Sequence, residues 1–141
     1  MARMTFKAGD EYALKLSRLA TGSDEIAKKA IYQGAKIVAD KIKANLQGVL
    51  SPEATGELVG SFGISKIDTD SNGDWNAKIG FDGYGSDGVA NQLKARALES
   101  GTSRQPKRPF VRPAVSATKK QAQDEMARVI EEETKKIMGG N

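Results

Sequence analysis

Ile26, Ala30, Ile31, Ala35, Val38, Ile42 and Leu46 recur at spacings of three and four residues, while Lys28, Lys29, Gln33, Lys36 and Lys43 fall on the opposite side. That period predicts a long amphipathic helix over residues 24–47. Ser23 is placed to cap it, Asp24 and Glu25 suit its first turn, and Gly48 offers a stop. A second such stripe runs through Val115, Thr118, Ala122, Met126, Val129, Ile130 and Ile137. It predicts a helix over 113–138, with Pro113 in the first turn and Gly139-Gly140-Asn141 past the end. Between the two the period changes. Trp75, Ala77, Ile79 and Phe81 alternate with Asn76, Lys78 and Gly80, the pattern of a strand with one buried face. Its expected partner is 62–69, where Phe62 and Ile64 alternate but Ile67 falls out of phase, which points to a bulge or a two-sided strand. Asp70-Ser71-Asn72-Gly73-Asp74 joins them and supplies the Asn-Gly pair of a tight turn, in which both central residues would take positive φ.

The remaining segments are less regular. Residues 3–7 fit a short strand or a loose arm. After Asp10, the spacing of Tyr12, Leu16 and Leu19 predicts a short helix ending near Gly22. Residues 49–60, with Pro52, Gly56 and Gly60, read as a loop with one helical turn near Thr55–Leu58. Residues 83–92 are Gly-rich and are expected to be mobile, and 93–100 fit either a short helix or a strand. Pro106 and Pro109 hold the following loop extended. Two long amphipathic helices and a hairpin with one apolar face can cover one another, so the expected fold is α+β: a small antiparallel sheet of three or four strands packed by two helices, in a single domain over 1–141.

Composition narrows the setting. Hydrophobic residues make up 38% of the 141, and mean hydropathy is −0.50. That is lean for a self-sufficient monomer and leaves apolar surface for neighbouring copies to complete. Cysteine is absent, which removes disulfides, thiolate metal sites and thiol catalysis and suits a reducing cytosol. No apolar run approaches the ~20 residues of a membrane span, and no signal-peptide pattern opens the chain, so the expectation is a soluble intracellular protein with no membrane partner.

Two motifs look like ligand sites and fail on their mechanics. Asp68-Thr69-Asp70-Ser71-Asn72-Gly73 resembles the start of a calcium loop, but its twelfth position is Ile79 rather than a bidentate Glu. A hairpin turn with no metal is the better reading. Gly83-Tyr84-Gly85-Ser86-Asp87-Gly88 has dinucleotide-loop spacing, yet it follows half of an antiparallel hairpin, and the chain is basic at Lys107 and Arg108 where a ribose-binding acid should stand. No cofactor is expected. With neither His nor Cys, the usual general base and the strongest nucleophile are missing. Composition leaves seryl-lysine or paired-carboxylate chemistry open, but the acids cluster around a turn and a Gly-rich loop, poor places to fix two carboxylates. No catalytic residue is assigned, and the chain is not expected to be an enzyme.

Charge is segregated beneath the net +4. Residues 51–93 carry Lys66 and Lys78 against seven acids, and 94–120 carry Lys94, Arg96, Arg104, Lys107, Arg108, Arg112, Lys119 and Lys120 against Glu99 alone. Three readings stand. Arg104, Lys107, Arg108 and Arg112 meet carboxylates of a neighbouring subunit, or they belong to a solvated loop, or they neutralise phosphates in a salt-sensitive way. Protein contact is favoured, because Phe110 is the only nearby aromatic and no nucleic-acid reading module is recognisable. The acidic middle of one copy could then face the basic loop of the next in a head-to-tail ring.

The stretch Glu99-Ser100-Gly101-Thr102-Ser103-Arg104-Gln105-Pro106-Lys107-Arg108-Pro109-Phe110-Val111-Arg112-Pro113-Ala114 joins a Glu-x-Gly-Thr-Ser turn to Pro-Phe-Val-Arg-Pro-Ala and a helix. It resembles the tail-completion family of long-tailed bacteriophages, in which Glu-Phe-Gly-Thr-Ser precedes a polar loop, Pro-Phe-Leu-Arg-Pro-Ala and the final helix. The chain departs from that pattern at Ser100, usually aromatic, and at Val111, commonly Leu. By this resemblance Glu99, Gly101, Thr102, Pro109, Phe110, Arg112 and Pro113 are motif residues of structural weight, and Arg104, Lys107 and Arg108 lie in a subunit or partner contact. The resemblance favours, within 93–100, a turn of helix passing into a third strand that ends at Gly101. It also implies a virion neck protein, assembled in the host cytoplasm, that joins the head connector or head-closure protein to the tail-tube or tail-terminator protein. It would act as a homo-oligomeric ring of six copies, through which DNA passes without sequence-specific binding. The alternatives are a nucleic-acid-binding accessory protein using 94–120, or a minor tail or head component at another position.

Overall fold

The computed structural model describes residues 2–6, 12–17, 23–50 and 56–138. The described elements run β1 (Ala2–Phe6), β2 (Tyr12–Leu16), α1 (Asp24–Val49), α2 (Glu57–Gly60), β3 (Phe62–Thr69), β4 (Trp75–Phe81), α3 (Asn91–Ser100) and α4 (Val111–Met138). The strands form one antiparallel sheet in the order β1-β2-β4-β3. This is the expected α+β architecture, with a four-stranded sheet packed by two long helices.

Helix α1 starts as its sequence dictates. The Ser23 hydroxyl accepts from the Ile26 amide, and Ile26, Ala30, Ile31, Ala35, Val38, Ile42 and Leu46 are all buried. The helix outlasts Gly48 by one residue and ends on extended Leu50, whose N–H donates to the Leu46 carbonyl. Helix α4 runs antiparallel to α1: Lys29 pairs with Glu133 at one end, and Asn45 Nδ2 donates to the Phe110 carbonyl (3.2 Å) at the other. Gly34 sits at their crossing. A Cβ there would lie 2.7 Å from Met126 Cγ and 3.1 Å from a Leu14 methyl, so the bare backbone permits the close approach of α1, α4 and β2.

The sheet turns one face to these helices. Leu14 and Leu16 of β2 lie opposite Ala77 and Trp75 of β4, and all four are buried with Ile79 against α1. The expected irregularity in β3 is a bulge: Ile64 pairs with Ile79 and Lys66 with Lys78, so the extra residue returns Ile67 to the core face opposite Ala77. Lys28 caps the edge of this core, its Nζ 5.3 Å from the centre of the Trp75 ring.

The structure corrects four expectations. Residues 12–16 form a strand, not a helix. Tyr12, Leu14 and Leu16 also fit a period of two, and the free edge of β4 selects that reading. Residues 91–100 are helical throughout, so no strand leads into Gly101. In the hairpin turn only Gly73 has positive φ (81°), because no described non-glycine residue does. The Gly73 amide donates to the Asp70 carbonyl and the Asp70 amide to the Asp74 carbonyl, a three-residue loop closed by a glycine bulge rather than a two-residue turn. Finally, the Gly-rich segment is tied down: Tyr84 bridges Ala90, the Gly85 amide donates to the Val89 carbonyl, and the Ser86 amide donates to the Glu57 carboxylate. Asp10, Leu19, Gly22, Pro52, Thr55 and the expected helix end at 139–141 lie outside the described residues.

Candidate functional site

The first turn of α4 holds no acidic residue, yet a helix start carries unpaired amides and partial positive charge. Glu99, at the end of α3, supplies the missing acceptor. Its Oε1 accepts from the amides of Phe110 and Val111 (both 2.8 Å) and its Oε2 from that of Arg112 (3.1 Å). The carboxylate is almost fully buried. It is a cap contributed from eleven residues away, and it fixes both ends of the 101–109 loop relative to each other.

The loop between is built to fit this clamp. Gly101 leaves α3 at φ 78°, ψ 170°, a region closed to other residues. A Cβ there would stand 2.9 Å from the Lys107 nitrogen. Thr102 closes the turn: its amide donates to the Gln105 carbonyl (2.8 Å), and its hydroxyl accepts from the Arg104 amide (3.2 Å). The Arg108 amide donates to the Leu98 carbonyl (2.6 Å). Phe110 then inserts into the core, fully buried and edge-on to Phe81 at 6.1 Å, and Phe81 in turn packs on Phe62 at 5.0 Å. Pro109 and Pro113 are exposed on either side, Pro113 as the third residue of α4.

The cations stand outside this frame. Arg104, Lys107, Arg108 and Arg112 are all exposed. Arg108 has a second duty, donating from Nη1 to the Val49 carbonyl (3.4 Å) at the end of α1, whose last turn has no basic residue of its own. Arg104 and Lys107 have no ion pair among the described residues. The geometry thus separates the sequence's candidates. Glu99, Gly101, Thr102 and Phe110 hold the loop, while Arg104 and Lys107 are only displayed by it.

The acidic groups lie elsewhere. Asp68, Asp70 and Asp74 surround the turn at the Trp75 end of β4, and Phe110 packs at the Phe81 end, about 20 Å away along seven residues of strand. Asp70 is committed within the chain. Its Oδ2 takes Lys15 Nζ (3.1 Å) and its Oδ1 the amides of Asn72 and Asp74, and the Lys15 contact above all holds its carboxyl below the usual range. Asp82 and Asp87 belong to the Gly-rich projection. There the Val89 amide, and after it Lys94 at 3.0 Å, lower the Asp87 carboxyl. Sequence reasoning did not single out the projection's exposed apolar trio, Tyr84, Val89 and Leu93; the only signal was apolar residues lodged in a Gly-rich loop. Among the described residues no group of three or more acidic residues is placed to hold a metal ion, and no helix is long and apolar enough to cross a membrane.

Residues 10–84 match the HK97-gp10-like family model, described as "Bacteriophage HK97-gp10, putative tail-component". The chain belongs to this family. The match covers more than half of the 141 residues, from β2 through α1 and the β3–β4 hairpin, and ends before the Glu99 clamp. It makes the chain a structural component of a phage particle, with a description that is not catalytic. No curated protein and no solved structure matches the chain.

Proposed function

We propose that the chain is a single-domain neck protein that joins the connector of the filled head to the tail, and that it acts as a ring. The clamped basic loop supports this most. A phage tail component fixes a backbone loop with a buried carboxylate and uses it to present Arg104 and Lys107 without partners of their own. Rigid display of unpaired cations suits recognition of carboxylates on another protein, since the loop pays little ordering entropy on contact. Asp70 and Asp87 are not such counterparts, being occupied within the chain by Lys15 and Lys94, whereas Asp74 and Asp82 remain at the surface or its margin. The ring assembles in the host cytoplasm on the head-closure or connector side and receives the tail-tube or tail-terminator protein, and DNA crosses it without sequence-specific contact.

Arg104→Glu with Lys107→Glu tests the reading while sparing Arg108, which also ties down α1. Both sites are exposed, so folding should be nearly unchanged. Electron microscopy of particles made with this variant should show heads and tails that fail to join. Normally joined particles would contradict the proposal. So would tight, salt-sensitive DNA binding by the parent that the variant loses, which would favour phosphate contact instead.

A further inference from the structure

Asn72 is the one asparagine of the chain that is followed by glycine. That pair carries a reaction of its own. The backbone nitrogen of the glycine attacks the side-chain carbonyl carbon of the asparagine. The new N–Cγ bond closes a five-membered succinimide, and the Cγ–Nδ2 bond breaks to release ammonia. Water then opens the ring at either carbonyl, leaving aspartate or an isoaspartate whose backbone runs through the side chain. Glycine favours the attack because no Cβ shields its nitrogen. Asn72 stands exposed on the β3–β4 turn, within reach of water. By residue type and exposure alone it should convert readily.

We propose that Asn72 is a latent deamidation site, held closed by the Asp70 turn. Ring closure needs a free nitrogen on Gly73 and a peptide that can swing toward the Asn72 side chain. The turn withholds both. The Gly73 amide donates to the Asp70 carbonyl (2.9 Å), so its proton is engaged and its nitrogen fixed. Asp70 Oδ1 accepts from the amides of Asn72 (2.9 Å) and Asp74 (3.0 Å), which pins the backbone on either side of the reacting bond. Asp70 is itself anchored, by Lys15 on Oδ2 (3.1 Å) and by its own amide on the Asp74 carbonyl (2.9 Å). The pinned span is thus tied to β2 as well as to its own hairpin. Deamidation then proceeds through local opening of the turn, at the unfolded chain's rate multiplied by the open fraction. Isoaspartate at 72 lengthens the backbone inside a closed three-residue loop, so the turn does not re-form around it. The product therefore marks chains whose hairpin has opened.

Peptide mass spectrometry on the full-length protein, held at mildly alkaline pH, separates asparagine from aspartate and isoaspartate at position 72. Conversion in the native chain should be slower by about tenfold or more than in the same chain unfolded in guanidinium, since a bonded turn is rarely open. Asn76, followed by Ala77, should convert far more slowly in both and serves as the internal reference. Asp70→Ala removes the acceptor of two amides and leaves Asn72-Gly73 in place. With its circular dichroism still native, it should convert about tenfold faster than the parent. Equal rates in the native and unfolded parent would overturn the proposal, and that comparison needs no variant. A folded Asp70→Ala chain that converts as slowly as the parent would overturn it too. If Asp70→Ala does not fold, hydrogen exchange on the parent takes its place. The amides of Asn72, Gly73 and Asp74 should be protected, and exchange at the unfolded rate would refute the closed turn.

Discussion

Replacing Glu99 by Ala removes the acceptor for three backbone amides at once. The Phe110 and Val111 amides are buried and have no other partner in reach of water, whereas the Arg112 amide is partly exposed and can be solvated. Each buried donor left unpaired costs about 1–3 kcal/mol, so the pair should cost about 4 kcal/mol, with a span of roughly 2–6. That is a large part of the stability of a domain this size. Glu99→Gln keeps one oxygen for Phe110 and Val111 but turns an amide donor toward Arg112 and gives up the charge. Its expected cost is about 1–2 kcal/mol. Urea unfolding followed by circular dichroism measures both. With a slope of about 1–3 kcal/mol per molar, the Ala variant should lose roughly 2 M of midpoint at unchanged slope. An Ala variant within about 1 kcal/mol of the parent would refute the clamp, because no buried pair of amides can lose its acceptor so cheaply.

Three further outcomes follow from the packing and charge. Phe110→Ala should lower stability by about 3–5 kcal/mol in the same unfolding assay, since the ring is fully buried against Phe81; an unchanged midpoint would place Phe110 outside the core. Gly34→Val should destabilise by about 1–3 kcal/mol through overpacking against Met126 and Leu14, and pairing it with Met126→Ala should recover part of the loss. Asp70, Asp87, Glu125 and Glu133 all have lowered folded-state values, so the stability they lend is complete above the unfolded range of 3.8–4.5 and is lost as pH falls through their folded values. Melting temperature should therefore be flat from neutral down to about pH 5 and drop below about pH 4; a drop centred near neutrality would contradict this.

What the sequence made legible was what is local. Helix α1 announced itself through Ser23 and seven periodic apolar residues, and the β3 bulge through the phase of Ile67 alone. Residues 12–16 misled because Tyr12, Leu16 and Leu19 fit a helical spacing while Tyr12, Leu14 and Leu16 fit a period of two, and only the edge of β4, some sixty residues later, decides between them. In 93–100 an alternation of apolar and charged residues is too short to fix a period, and the helix is set by its packing beside β4 and α2. The Asn72-Gly73 turn was placed correctly but typed wrongly, because the Asp70 side chain pins the amides of Asn72 and Asp74 and spares Asn72 a positive φ. Glu99 shows the limit most clearly. Resemblance marked it as a motif residue, but its work as a cap for a helix beginning twelve residues later is visible only once the chain has folded back. The apolar knob at Tyr84, Val89 and Leu93 was hidden by the same Gly-rich composition that suggested mobility.

The central claim is that the chain sits at the junction of head and tail as a ring held together through its basic loop. A focused electron-microscopy reconstruction of that junction in intact particles tests it most directly. The account predicts a ring of density between connector and tail into which the α1–α4 pair and the four-stranded sheet fit, with residues 101–109 of each copy in contact with the next. Density for this fold elsewhere along the tail, or a junction ring whose basic loops point only at solvent, would contradict it.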